Sequence, residues 1–302
     1  CANNIKNIEG RTTYTQMLNK DGGIEADLTV SCLKKNYFRI ICPALARSHN
    51  KSHILKNLIK TVNFEDVTDI YSCIGLFGPN SRKFVTELFG DYFSNEEFPF
   101  ARGKYLTISN IKIWFQRLSF IGELGWEIFV PINKASDIFN KIRKLGKKYN
   151  LTYSGMHALD TLRLEKKFLH WGHDITSENN PFESGLSFVV NFNKKENFIG
   201  RNALEQIKNQ PLKKKLELFS LKKNFKPGEP LLLQDEPIYQ NNVIVGYTTS
   251  SNYSFCYNKN LCLAYVKSEL NNNERLHVEV EGKKYELYLE KNPLHDPTSK
   301  LM

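Results

Sequence analysis

The chain has 302 residues, 41% of them hydrophobic and 25% charged, with a formal net charge of +10. The length exceeds the roughly 100–200 residues of a usual single domain, and the composition excludes a disordered or fibrous chain. No run approaches the ~18 apolar residues of a membrane-crossing helix. The lysines fall in short groups such as Lys213 to Lys215, without the long basic tract or base-stacking module that would favour nucleic acid. The positive field suits any anionic partner, a small polyanion included, and an Asn/Lys-rich composition also produces it with no partner at all.

The opening CANNIKNIEGRTTYT has neither the basic n-region nor the apolar h-region of a signal peptide, and Cys1 reads as the cut edge of a longer polypeptide. Next, TTYTQML, NKDGG, IEADLTVSCL and YFRIIC predict a hairpin and a further strand, with Asp21-Gly22-Gly23 supplying the glycines of a tight turn. Over residues 51–61 the spacing of Ile54, Leu55, Leu58 and Ile59 predicts a helix face. DIYSCIGLFGP is expected to be a buried strand ended by Gly78-Pro79. SRKFVTELFG is expected to be a helix capped by Ser81 and stopped by Gly90.

Residues 105–117 and 126–130 predict two strands, ASDIFNKIRKLGKKYN an amphipathic helix with a basic end, and HALDTLRLEKKF another helix. Interleaved helices and hairpins of this kind indicate an α+β fold class. After about residue 210, LELFSL, EPLLLQ, VIVGYTT, LCLAYV, RLHVEV and KKYELYLE are short, closely spaced strands, the pattern of a small antiparallel barrel or sandwich. The expected domains are therefore 1–208 and 209–302. Cys1, Cys32, Cys42, Cys73, Cys256 and Cys262 form no CxxC pair, so reduced, buried thiols are expected rather than disulfides or a zinc site.

Three segments carry candidate chemistry. In a strand, Glu25 and Asp27 share one face while Ile24, Ala26 and Leu28 share the other. A carboxylate there can accept a proton or stabilise a cationic amine, and the same alternation suits a solvated polar face. The stretch from Phe120 to Glu127 is a glycine-containing turn running into a strand. Its carboxylate beside an aromatic ring can pair with the N–H donors of a flat heterocycle, and a plain hairpin with a core Trp126 also fits. His170-Trp171-Gly172-His173-Asp174 lacks a third ligand at metal spacing, so no metal is expected, and Trp171 is expected to pack while His173 hydrogen-bonds. No glycine-rich dinucleotide loop occurs.

Taken together, YTQMLNKDGGIEADLTV, RLSFIGELGWEIFVP, ALDTLRLEKKFLHWGHDIT, NPFESGLSFVV, FIGRNALEQIK, VGYTTSSNYS and NPLHDP resemble the glycine cleavage T protein (aminomethyltransferase) superfamily, in its order. GGIEADLTV, GELGWE, LRLEK with HWGHD, and FIGRNAL look like the C-terminal half of sarcosine and dimethylglycine dehydrogenases. The resemblance implies an aminomethyltransferase-type α+β fold around a central folate cavity, truncated at its N-terminal edge here, followed by a β-barrel domain. It implies tetrahydrofolate as cofactor, with FAD only in an absent N-terminal half. The implied partners are a one-carbon donor and that covalently linked FAD domain, with no nucleic acid and no membrane.

The family's essential aspartate falls on Asp27 and its pterin-binding glutamate on Glu127. Tyr14, Phe120 and His295 are carried over as folate-lining positions. Two departures are Phe120, commonly Tyr, and Leu159, where true T proteins carry arginine. The implied reaction is capture of an iminium or formaldehyde carbon to give 5,10-methylene-tetrahydrofolate, in a bacterial cytoplasm or mitochondrial matrix. The alternatives are a free-standing aminomethyltransferase of glycine cleavage and a non-catalytic regulatory subunit of the same fold.

Overall fold

Residues 12–41 form three strands, β1 (Thr12–Leu18), β2 (Ile24–Lys34) and β3 (Tyr37–Ile41), in one sheet of that order, and burial alternates along the first half of β2. The computed structural model describes residues 1–226, 228–270 and 274–302. These group into two compact units. The first comprises Cys1–Asn3, Thr15–Asp27 and Gly155–Thr298, and the second Asn4–Tyr14, Leu28–Ser154 and Ser299–Met302.

In the second unit, α1 (Arg47–Lys56) precedes β4 (Tyr71–Phe77), α2 (Ser81–Phe89), β5 (Arg102–Ile108), β6 (Ile111–Arg117), β7 (Gly125–Pro131) and α3 (Ala135–Gly146). The four strands make an antiparallel sheet in the order β4-β7-β6-β5. Its apolar positions, among them Ile113, Phe115, Trp126 and Ile128, pack with Phe84, Val85 and Phe89 of α2 and Ile138 and Ile142 of α3. The amphipathic spacing of α3 is the cause: its apolar side chains recur every three to four residues and so share one stripe.

In the first unit, α4 (Met156–Glu165) and α5 (Arg201–Ile207) precede β8 (Lys214–Leu221), β9 (Pro237–Gln240), β10 (Val243–Ser254), β11 (Lys259–Lys267), β12 (Leu276–Val280) and β13 (Lys283–Glu290). These six strands close into a barrel in the order β10-β11-β8-β13-β12-β9. Closure leaves no unpaired sheet edge, and Phe219, Ile238, Cys262, Val266, Val278 and Leu287 fill the interior. The α+β fold with a terminal antiparallel barrel is as expected.

Several local expectations are corrected. The first helix runs Arg47–Lys56, not 51–61, and Leu55 and Ile59 are 50% and 65% exposed. It ends where the Asn57 amide donates to the His53 carbonyl at 2.8 Å. Strand β4 is not buried: it is the sheet's edge strand, with Cys73 and Gly75 exposed. The segment 105–117 holds two strands, because Ser109 and Asn110 both take positive φ (48° and 64°) and turn the chain back on itself.

Helix α2 has no side-chain cap, and the Ser81 hydroxyl instead donates to the Leu124 carbonyl at 2.9 Å. The fourth helix stops at Glu165 rather than near Phe168. EPLLLQ is no strand: Leu232 is buried in the barrel core while Leu231 and Leu233 are exposed, and Pro237–Gln240 supplies the strand instead. Of the six cysteines only Cys32 and Cys262 are buried, and Cys73 and Cys256 are exposed.

Candidate functional site

The turn between β1 and β2 is held by its own side chains. The Asn19 carbonyl oxygen Oδ1 accepts from the backbone N–H of Asp21 at 3.0 Å and of Gly23 at 2.8 Å. Gly23 is required there, since a Cβ would lie 1.9 Å from the Ser177 carbonyl oxygen. The Ile24 N–H donates to the Asn179 carbonyl and Trp171 Nε1 donates to the Ile24 carbonyl, each at 2.9 Å. The start of β2 is thereby fixed against the loop after α4.

From that start the strand alternates. Ile24 and Ala26 are fully buried, and Glu25 and Asp27 stand half-buried on the other face. Gln16 Nε2 donates to Asp27 Oδ1 at 3.0 Å. Gln16 itself is 0% exposed, and its Oε1 has no hydrogen-bond partner among the described residues. An amide donor of this kind orients a carboxylate without adding a charge.

Glu127 belongs to the second unit. On β7, Trp126, Ile128 and Val130 enter the core, so Glu127 projects from the opposite face. Gln116 faces it across the β6–β7 ladder, and Gly75 faces it across the β4–β7 ladder. Gln116 Nε2 donates to Glu127 Oε2 at 2.6 Å. Gln116 Oε1 accepts from Ser31 Oγ at 3.0 Å and Trp114 Nε1 at 3.1 Å, and Ser31 Oγ meets Thr12 Oγ1 at 3.0 Å.

All four supporting side chains are buried. Among the described residues, Gln116 is the only group that hydrogen-bonds the Glu127 carboxylate. Burial raises the Glu127 pKa, and the Gln116 hydrogen bond opposes that rise. Nearby Cys73 keeps an exposed surface yet is held as a thiol, first by burial and then by the charge of Glu127.

Tyr14 lies on β1 and Phe120 in the loop between β6 and β7, both half-buried in the second unit. His295 lies after β13 in the first unit, where its backbone N–H donates to the Glu165 carbonyl at 3.0 Å. Trp171 is half-buried and donates through its indole N–H, and His173 hydrogen-bonds as expected, its Nδ1 lying 3.2 Å from Gln234 Oε1. Asp174 is engaged by Arg163 at 2.6 Å. Among the described residues no three His, Cys, Asp or Glu side chains come together as a metal site, and no helix is long and apolar enough to cross a membrane. Sequence reasoning missed Gln16 and the Gln116, Ser31 and Trp114 group; a glutamine inside an apolar strand was the available signal.

The chain matches the GCVT N-terminal domain over residues 1–194 and the glycine cleavage T-protein C-terminal barrel domain over residues 214–296. It is 33% identical to human mitochondrial dimethylglycine dehydrogenase over 94% of its own length and 33% of that protein. It thus spans about a third of that relative's length. Against an aminomethyltransferase of Halothermothrix orenii it is 30% identical, covering 88% of this chain and 72% of that protein. The crystal structure of glycine cleavage system aminomethyltransferase T from Bartonella henselae shares the fold, with a TM-score of 0.81 at 22% identity over 96% of this chain and 77% of that one. With both of its domains matched in order, the chain belongs to the glycine cleavage T-protein family.

Proposed function

We propose that the chain is the tetrahydrofolate-binding, one-carbon-accepting part of an FAD-dependent sarcosine or dimethylglycine dehydrogenase-like protein. The observation that carries this reading is Glu127, a half-buried carboxylate with one oxygen fixed by Gln116 at 2.6 Å. Its remaining acceptor capacity suits the paired N–H donors of a pterin ring. The buried, unpartnered Gln16 Oε1 also fits a polar ligand beside Asp27. Tetrahydrofolate supplies the nucleophilic nitrogens that take up the one-carbon unit as 5,10-methylene-tetrahydrofolate.

In this reading Asp27 orients the attacking amine and accepts its proton. Gln16 holds the carboxylate in place, Glu127 binds the ring N–H groups, and Phe120 offers a stacking face. Tyr14 and His295 complete the lining. Oxidation of the methylated amine falls to an FAD domain outside these 302 residues, in a mitochondrial matrix or bacterial cytoplasm.

The coverage of 72% of an aminomethyltransferase favours a second reading, a free-standing aminomethyltransferase acting with a lipoyl carrier protein. Leu159 in place of that branch's arginine weighs towards the first. Both are tested by measuring tetrahydrofolate binding calorimetrically and conversion of formaldehyde to methylene-tetrahydrofolate in the full-length protein. Asp27→Asn is expected to keep most of the affinity and to lose about 10²-fold or more in conversion. Absence of folate affinity in folded protein sinks both readings. Affinity without conversion by the unaltered protein assigns the chain to a regulatory role, and turnover only with a lipoyl carrier selects the second reading.

A further inference from the structure

The side chain of Asn19 hydrogen-bonds in two directions. Its Oδ1 accepts from the turn amides of Asp21 and Gly23, and its Nδ2 donates to the Ser177 carbonyl at 3.1 Å. The Asn19 N–H donates to the Gly23 carbonyl at 2.9 Å, and the Asn19 carbonyl accepts from the Gly22 N–H at 3.2 Å. Turning the amide over would set Nδ2 against two N–H donors and Oδ1 against a carbonyl oxygen, so its orientation is fixed. Its surroundings are close: a Cβ at Gly23 would lie 2.6 Å from Nδ2, and one at Gly200 would lie 2.5 Å from the Asn19 carbonyl oxygen.

The acceptor end of this side chain does not call for an amide, because aspartate closes such a turn as well as asparagine does. Only Nδ2 separates the two residues, and what it holds lies 158 positions away, at Ser177. Ser177 sits in the chain between two other residues that grip the start of β2. Trp171 Nε1 donates to the Ile24 carbonyl, and the Asn179 carbonyl accepts from the Ile24 N–H. Asn19, Asp27 and the loop 171–179 all belong to the first unit. Turn and loop are therefore joined just before β2 begins, and Asp27 stands three residues after Ile24.

We propose that Asn19 is a positioning residue for Asp27, acting through its Nδ2 bond to Ser177. That bond sets the turn against the loop, and with it the point from which β2 runs to Asp27. Gln16, which donates to Asp27 Oδ1 at 3.0 Å, lies on the other arm of the same turn. A displaced turn thus moves the carboxylate and the amide that orients it together, and a misplacement of about 1 Å at a reacting group costs up to about 10²-fold in rate. The consequence for one-carbon transfer rests on the folate reading, whereas the placing of Asp27 does not.

The test compares Asn19→Asp, which keeps the acceptor and turns an oxygen on the Ser177 carbonyl, with the unaltered full-length protein. Conversion of formaldehyde to methylene-tetrahydrofolate is expected to fall about tenfold or more, with the tetrahydrofolate Kd changed by no more than about twofold, since Glu127 is assigned the ring N–H groups. Hydrogen exchange at the Ile24 amide is expected to quicken about tenfold or more. Asn19→Ser, with an acceptor and nothing to repel Ser177, is the second variant should the first fail to fold. Added to Asp27→Asn, Asn19→Asp is expected to lower conversion by no more than about twofold further, because both act through one carboxylate. Unchanged conversion or unchanged Ile24 exchange in the folded variant overturns the proposal, and so does a loss that multiplies with that of Asp27→Asn. If the unaltered protein has no folate affinity, the folate reading falls, and exchange at Ile24 alone decides whether Asn19 holds the strand that carries Asp27.

Discussion

Gln116 hands a single amide hydrogen to Glu127 across 2.6 Å, and it has no freedom to do otherwise. Its carbonyl oxygen is taken by two donors, Ser31 Oγ and Trp114 Nε1. Rotating the amide would set oxygen against carboxylate and nitrogen against two donors, so the orientation of Gln116 is over-determined. Glu127 is consequently held as an acceptor in one fixed pose, which is the property a ring-binding carboxylate needs.

Gln116→Leu keeps the approximate volume but strands Ser31, Trp114 and one oxygen of Glu127. The expected cost is about 2–3 kcal/mol in unfolding free energy, from buried polar groups left unmade. Ligand affinity is expected to fall about tenfold as Glu127 loses its orientation. Denaturant unfolding and folate calorimetry on one preparation check both numbers. A variant with native stability and native affinity removes Gln116 from any positioning role.

The raised pKa of Glu127 sets two opposed pH dependences. Between its unfolded and its raised folded pKa, the native state binds more protons than the unfolded one, so stability from this group falls as pH rises. Binding of N–H donors runs the other way, because it needs the ionised carboxylate. Glu127→Gln is therefore expected to flatten that part of the stability profile, and to be no less stable than the native protein at neutral pH. It should lose about 10- to 100-fold in folate affinity, since a charge-assisted pair becomes a neutral one. A variant that is less stable at neutral pH and retains affinity contradicts the assignment.

That the two carboxylates stand on strand faces opposite apolar side chains was legible in the sequence, because each placement rests on a local rule; their choice as site residues came from the family resemblance. Ile24, Ala26 and Leu28 against Glu25 and Asp27 is a period-two pattern, and Trp126, Ile128 and Val130 around Glu127 is another. The barrel was legible from its closely spaced strands. What supports the carboxylates was not, because it depends on distant pairings: Ser31 and Gln116 are 85 residues apart, and IKIWFQR does not announce which of its faces will be apolar. EPLLLQ shows the same limit. Its alternation does bury Leu232, but whether a segment joins a ladder depends on neighbouring backbone that the pattern does not contain. The turn at Ser109 and Asn110 lacked the Asn-Gly or Asp-Gly pair that marks a two-residue hairpin.

The ion pair of Arg163 with Asp174 gives the Asp27 hairpin its support from below. Asp174 is 1% exposed; its Oδ2 accepts from Arg163 Nη1 at 2.6 Å and from the His170 N–H at 2.9 Å, and its Oδ1 accepts from Thr249 Oγ1 at 2.6 Å. Arg163 also reaches Ser250 Oγ at 2.7 Å. The loop so tied carries Trp171, whose indole N–H holds the Ile24 carbonyl at the start of β2. Asp174→Ala leaves the buried guanidinium with only the half-exposed Asp160, 3.6 Å from its Nε, as an ion-pair partner and frees that loop, so a loss of about 3 kcal/mol is expected, the lower end of the range for breaking a buried pair. Because desolvation offsets much of a buried pair's attraction, the double variant Arg163→Met with Asp174→Leu is expected to recover part of that loss. One-carbon transfer should fall in the single variant even at temperatures where it stays folded, because Asp27 is placed by the strand that Trp171 anchors. A double variant no more stable than Asp174→Ala, or full activity in the folded single variant, breaks the link from this ion pair to Asp27.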